Sequence, residues 1–371
     1  MTATRTLQGR ILTADGWMRG TIEFDQRVRA LHPAPDARDT GGDEPLILPG
    51  FVDLHVHGGD GVDIMQGGDA ACTVARAHAR HGTTALLGTT MTAHEDDIVH
   101  ALEGLAPAIA ERGEGMARIL GVHLEGPYIS IERLGAQPPL VIEATLEQVR
   151  RLHALAPIRV LTLAPEIGAH RALIPQLNQL GIRVQLGHSA GSYEDGVAAL
   201  EAGAAGFTHL FNGMTGVDHY HPGIATAALA HAEYAELIPD LKHVHPGAIR
   251  TALRAIPRLY CVTDATAATG MPDGEYALGS QRVFKCLGCV RLAAGSLAGS
   301  ALTMDQALRN LVSLGLDVAD ASNRLSRYPA DYLGLADRGR VQAGAWADLV
   351  VLDPQLQVRQ VFVEGDAIPL G

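Results

Sequence analysis

The chain has 371 residues, 47% of them hydrophobic, which is enough apolar material for one large domain or one large and one small, and rules out a disordered chain. A formal net charge of −12 and a pI near 5.7 argue against a nucleic-acid or anionic-membrane surface, since both need a cationic field. No apolar run approaches the roughly 20 residues that cross a bilayer, and MTATRTLQGRILTADG at the start has no apolar leader core; the expected setting is the cytoplasm, with a small molecule as partner and neither nucleic acid nor membrane.

Residues 1–49 alternate short β-like runs (TLQGRILTADG, GTIEFDQRVRALH) with glycine and aspartate turns, and close on Pro49-Gly50. The same idiom returns over 338–371 in GRVQAGAWADLVVLDPQLQVRQVFVEG. The two terminal segments are therefore expected to pair in one small β-sandwich domain, with 50–337 inserted between them. That insert repeats buried apolar runs between alanine-rich helical stretches: FVDLHVH, TTALLGTT, ARILGVHLEG, IRVLTLAPE, IRVQLGHS, GFTHLFN, AELIPDLKHVH and RLYCVTDA. Eight strands alternating with helices predict an α/β fold of the (β/α)8 TIM-barrel type. Thr145 with Gln148, and Thr303 with Gln306, have the spacing of helix capping boxes. GGDGVDIMQGG, after the first run, has neither GxGxxG nor a P-loop lysine and reads as a flexible lid. The four cysteines make no disulfide framework, and the lone CxxC at Cys286 and Cys289 reads as a hairpin turn around Gly288 with packed thiols.

The polar residues that matter fall at the carboxyl ends of these runs, where barrels build their active sites. The first run ends in His55 and His57, whose period-two spacing aims both imidazoles at one face. The third supplies Glu125, the fifth His188, the sixth His209 and the eighth Asp264. A single buried histidine is most often a satisfied core residue; four imidazoles and two carboxylates on one rim are the donor set preferred by zinc and related divalent ions, and can wrap one or two of them. The only lysines are Lys242 and Lys285, and neither lies on the fourth strand, where many two-metal barrel hydrolases carry a carboxylated lysine bridge. Glu125 is then the best-placed bridging carboxylate. Asp264 is expected to act as general base and then general acid, moving a proton from water to a leaving nitrogen. Nine further histidines (78, 81, 94, 100, 153, 170, 219, 231, 245) read as solvated or packing residues, with only His219 and His245, alongside His221, able to approach the pocket.

At PGFVDLHVHG, HLEGPYIS, LGHSAGS, THLFNGM, VTDATAATGMPDGEY and AGSLAGSALTMDQALRNLV the chain resembles the amidohydrolase superfamily and, within it, the N-acetylglucosamine-6-phosphate deacetylase family, over essentially its whole length. The resemblance implies a metal-dependent deacetylase, usually a homodimer in which the partner subunit helps to complete the substrate site. It assigns Glu125, His188 and His209 to the principal metal, lets His55 and His57 hold a second with Glu125 as bridge, and matches Asp264 to the catalytic aspartate. By the same similarity His243 contacts substrate, the Asn212-Gly213 backbone lies where the sugar phosphate binds, and Leu297 belongs to the substrate pocket.

Three departures bear on recognition. Tyr220, in DHYHPG, stands where members commonly carry a phosphate-binding arginine; Gln137 replaces a histidine; Asp240-Leu241-Lys242 replaces an Asp-Gly pair before His243. Either Lys242 or His221 takes over as anion partner, or the substrate is an N-acyl sugar or other N-acyl amine without phosphate. A barrel retained only as a scaffold is the opposing reading, and it gives no reason to keep the ligand set together with the proton-shuttling aspartate.

Overall fold

A computed structural model describes residues 4–34 and 44–371; the parts of the expected N-terminal segment at 1–3 and 35–43 lie outside the described residues. The barrel is formed by eight short strands: β1 (Phe51–Val56), β2 (Thr83–Thr90), β3 (Arg118–Glu125), β4 (Ile158–Leu163), β5 (Arg183–Leu186), β6 (Gly206–Phe207), β7 (Tyr234–Leu237) and β8 (Arg258–Cys261). β1 to β6 pair in sequence as one parallel sheet, and β7 pairs with β8. The Leu210 amide donates to the Glu236 carbonyl (2.8 Å) across the β6–β7 gap, and the Asp264 amide to the His55 carbonyl (3.0 Å) across the β8–β1 gap. These two bonds close the cylinder.

A helix follows each strand, from Ala70–Ala79 after β1 to Met304–Ser313 after β8, with its apolar face turned onto the sheet. Thr145 caps its helix by accepting from the Gln148 amide, as its spacing predicts. Thr303 does not: its side chain makes no capping bond to the helix backbone. A complete capping box sits at Ser192 and Asp195, where an aspartate in place of Glu or Gln hid it from the spacing rule.

The terminal segments share one seven-stranded sheet, in which Leu349–Leu352 pairs antiparallel with Leu46–Pro49 and the latter runs parallel to Arg5–Thr13. Phe24 and Phe362 lie on strands four places apart in that sheet, yet their ring centroids are 5.1 Å apart, so the sheet folds over a core of its own that includes Ile11, Ile22, Ile47 and Leu349. The glycine-rich stretch after β1 is not a free lid. Gly58–Gly59 pairs with Val62–Asp63, and the Asp60 and Gly61 amides donate to the carbonyls of Thr269 and Ala267, partners more than two hundred residues away that local composition does not reveal.

Candidate active site

Every metal-ligating candidate emerges at the carboxyl end of a barrel strand and is almost fully buried. His188, His209 and Asp264 follow β5, β6 and β8 with φ of 47°, 29° and 51°. Non-glycine residues in this left-handed region cost roughly 1–3 kcal/mol each and persist where their surroundings hold them. Here the His188 carbonyl accepts from the Ser130 amide (2.8 Å), and the Asp264 carbonyl from the Ser300 amide (2.7 Å). Gly213 is needed beside them: its φ is +58°, and a Cβ there would lie 3.0 Å from His188 Nδ1.

The donor atoms form two clusters that share Glu125. Its Oε1 lies 3.0 Å from His209 Nε2 and 3.1 Å from His188 Nε2, which are 3.1 Å from each other. Its Oε2 faces the other way, 3.2 Å from His57 Nε2 and 3.5 Å from His55 Nε2. Those two nitrogens are 3.1 Å apart, and Asp264 Oδ1 sits 3.3 Å from His57 Nε2 and 3.5 Å from His55 Nε2. Ligands bound tetrahedrally at about 2.0–2.1 Å stand roughly 3.3 Å from one another. Both clusters have that spacing, so the residues fit one or two divalent ions.

Charge points the same way. Burial alone would lower the pKa of His55, but the carboxylates of Glu125 and Asp264 raise it well above the usual range, and the same opposition takes His57 up to about 9. Burial likewise tends to raise Glu125 and Asp264, and the surrounding imidazoles overcome it, His55 foremost, so both carboxyls are held low. This pocket is built to hold positive charge.

A layer of buried polar groups orients these side chains from below. Glu236, inside β7, lies 3.0 Å from His55 Nδ1, which leaves Nε2 for the cluster. The Tyr260 hydroxyl donates to its other oxygen (3.3 Å). His123 packs edge-on against His55, bonded to the Leu54 carbonyl and Thr162. The Arg133 carbonyl, 2.8 Å from His188 Nδ1, plays the matching part on the far side. Sequence reasoning missed Glu236 and His123; the available signal was an ionisable residue inside a run otherwise apolar enough to be a core strand.

The cavity above the clusters is lined by five of the eight residues assigned to substrate: Gln137, Asn212, Gly213, His243 and Leu297. His243 is fixed by Asp240 Oδ2, 2.7 Å from Nδ1. Gln137 also reaches below: its Oε1 accepts from the Thr92 amide and its Nε2 donates to Glu125 Oε2, each at 2.7 Å. The other three stand outside the lining. Tyr220 is 78% exposed and shares a neighbouring shallow cavity with His221, while Lys242 Nζ turns to the Leu287 carbonyl at 3.3 Å. Tyr220 and His221 lie in the loop after β6 and Lys242 in the loop after β7, and the two loops leave the barrel rim on separate paths. Neither His219 nor His245 lines the cavity.

The family model described as "Amidohydrolase family" matches residues 46–368. The chain belongs to the amidohydrolase family. It is 40% identical over 366 residues to the N-acetylgalactosamine-6-phosphate deacetylase of Escherichia coli O157:H7, covering 96% of this chain and 97% of that one. It is 35% identical to the N-acetylglucosamine-6-phosphate deacetylase of Lysinibacillus sphaericus, covering 96% and 94%. Among solved structures, the N-acetyl-D-glucosamine-6-phosphate deacetylase of Mycobacterium smegmatis, a mutant in complex with N-acetyl-D-glucosamine-6-phosphate, superposes with a TM-score of 0.91 at 34% identity over 99% of both chains. That of Pasteurella multocida gives 0.92 at 26% identity, over 98% of this chain and 99% of its own. Among the described residues no helix is long and apolar enough to cross a membrane.

Proposed function

We propose that this amidohydrolase removes acetate from N-acetylglucosamine-6-phosphate, giving glucosamine-6-phosphate. The observation that carries the reading is the pair of ligand clusters sharing Glu125, with Asp264 beside the second and facing the cavity. Glu125, His188 and His209 would hold one divalent ion, and His55, His57 and the other oxygen of Glu125 a second; the donor set suits zinc. Bound there, such an ion supplies Lewis acidity toward the acetamide carbonyl and brings the pKa of water down to about 7.

The chain's own residues do the rest. Asp264, held ionised by the imidazoles around it, takes a proton from the attacking water and returns it to the departing amine. His243, oriented through Nδ1 by Asp240, offers Nε2 to the sugar, and the Asn212-Gly213 backbone and Leu297 bound the remainder. Gln137 holds Glu125 Oε2 toward His55 and His57. A homodimer belongs to this reading: Val217 and Tyr220 expose apolar surface on the loop beside the cavity, and sedimentation at micromolar concentration checks it.

The relative at 40% identity acts by its name on the galactosamine epimer, so N-acetylgalactosamine-6-phosphate is the second reading. Acetate release by zinc-loaded chain on the two phosphorylated epimers and on unphosphorylated N-acetylglucosamine tests both. A kcat/KM at least roughly tenfold higher with phosphate is expected, the worth of one charge-assisted hydrogen bond at about 1.5–3 kcal/mol. A higher value for the galacto epimer selects the second reading, and equal turnover of the unphosphorylated sugar overturns both.

A further inference from the structure

Cys286 and Cys289 take no part in the site described above. They flank a two-residue turn, Leu287-Gly288, between strands Gln281–Cys286 and Cys289–Leu292, and both turn residues have positive φ, 50° and 71°, the conformation of a type I′ hairpin. The register sets Cys286 directly opposite Cys289, with Lys285 opposite Val290 and Phe284 opposite Arg291. Val283 and Val290 are buried in one apolar cluster with Met91 and Ala298. Strand alternation therefore puts the two cysteines on the other, solvent-facing side, with Phe284 and Arg291. Both are free thiols, one exposed and one half-buried.

Directly opposed residues of an antiparallel pair have Cα atoms about 4.5–5.5 Å apart, within the span of about 4.4–6.8 Å that a disulfide bridges, and their Cβ atoms leave the same face. The turn is also held in place. The Leu287 amide donates to Asp273 Oδ2 (3.0 Å), its carbonyl accepts from Lys242 Nζ, and Lys285 Nζ donates to the carbonyls of Ala268 and Met271. We infer that Cys286 and Cys289 are a reversible dithiol–disulfide site that exchanges with small-molecule disulfides.

The thiolate of the more exposed Cys286 attacks one sulfur of the small disulfide, breaking its S–S bond and releasing one thiol. The thiolate of Cys289 then displaces the second from the mixed disulfide. Two cysteine thiols are oxidised and the small disulfide is reduced to two thiols, with no other reactant. A bridge across so short a loop constrains the unfolded chain far less than one spanning a long loop, so it is suited to switching rather than to stapling the fold. It sits on the turn whose carbonyl holds Lys242, next in sequence to the cavity residue His243.

The test treats the folded full-length chain with oxidised glutathione, quenches with acid, alkylates free thiols and reads the tryptic peptide covering 286–291 by mass. The expected peptide lacks two hydrogens and carries no alkyl group, and dithiothreitol restores both alkylation sites. Cys289→Ser should instead trap glutathione on Cys286. Because both positions face solvent at a hairpin tip, this variant is expected to unfold at the same temperature as the parent. A peptide alkylated at both cysteines, or a stable glutathione adduct in the unsubstituted chain, overturns the inference.

Discussion

Glu364 is where three arginines meet at the seam between the barrel and the terminal sheet. Its Oε1 accepts from Arg118 Nε (2.8 Å) and from Arg338, and its Oε2 from Arg118 Nη2 (2.7 Å) and Arg112 Nε (3.1 Å). Burial pushes this carboxyl up, but the hydrogen bonds from Arg118 and the charge of Arg338 outweigh it and hold the pKa at about 2 rather than 4.5. At about 1.36 kcal/mol per unit, that depression is worth on the order of 3 kcal/mol of folding stability. A depressed carboxyl stabilises fully above its unfolded value and loses the contribution as pH falls through the folded one, so less than about half should survive near pH 3. Glu364→Gln is thus expected to cost on the order of 3 kcal/mol at pH 7, and clearly less at pH 3. Urea denaturation followed by tryptophan fluorescence reads this directly: Trp17 and Trp346 are the only tryptophans, both belong to the terminal segments, and the Arg338 guanidinium lies 4.9 Å from the Trp346 ring centroid. A loss under about 1 kcal/mol at pH 7, or one unchanged at pH 3, would refute the argument.

Gln137→Leu frees Glu125 Oε2 from the Gln137 amide, so the zinc content of the saturated chain should fall below that of the parent; unchanged content would show that Gln137 does not orient the Glu125 carboxylate. Glu236→Gln removes the charge behind His55 Nδ1, and chelator competition should find the second ion bound roughly 10–100-fold more weakly. Lys242→Ala should leave KM for the phosphorylated substrate within about twofold, because its ammonium is engaged by the hairpin tip; a large rise in KM would assign it to the anion instead.

The barrel and its candidate ligands were legible because the strands are short apolar runs, and five of the eight, the first, third, fifth, sixth and eighth, end abruptly in His, Glu or Asp at the same rim. His55, His57, Glu125, His188, His209 and Asp264 were all readable in that way. Glu236 was not, because it lies within the apolar run AELIP rather than at its end, and only its inward-facing position in β7 gives it a partner. The stretch after β1 looked mobile from its glycines, whereas its backbone amides are held by carbonyls of the loop after β8. Tyr220 and Lys242 show the same limit for recognition. Lys242 is next in the chain to the cavity residue His243, yet its ammonium turns to a hairpin tip, and Tyr220, in the loop after β6, turns to solvent.

By this reading the chain hydrolyses the acetamide of a hexosamine phosphate with Asp264 as the proton carrier, and Glu125 and the histidines would hold the divalent ion the chemistry needs. The reading is tested most directly by acetate release from N-acetylglucosamine-6-phosphate, using chain stripped with a chelator and then reconstituted with zinc, alongside Asp264→Asn. The stripped chain is expected to show no turnover, reconstitution to restore it, and Asp264→Asn to lower kcat by roughly 10²–10⁴ while its zinc content stays that of the parent. Turnover that survives stripping, or an Asp264→Asn chain as active as the parent, would contradict it.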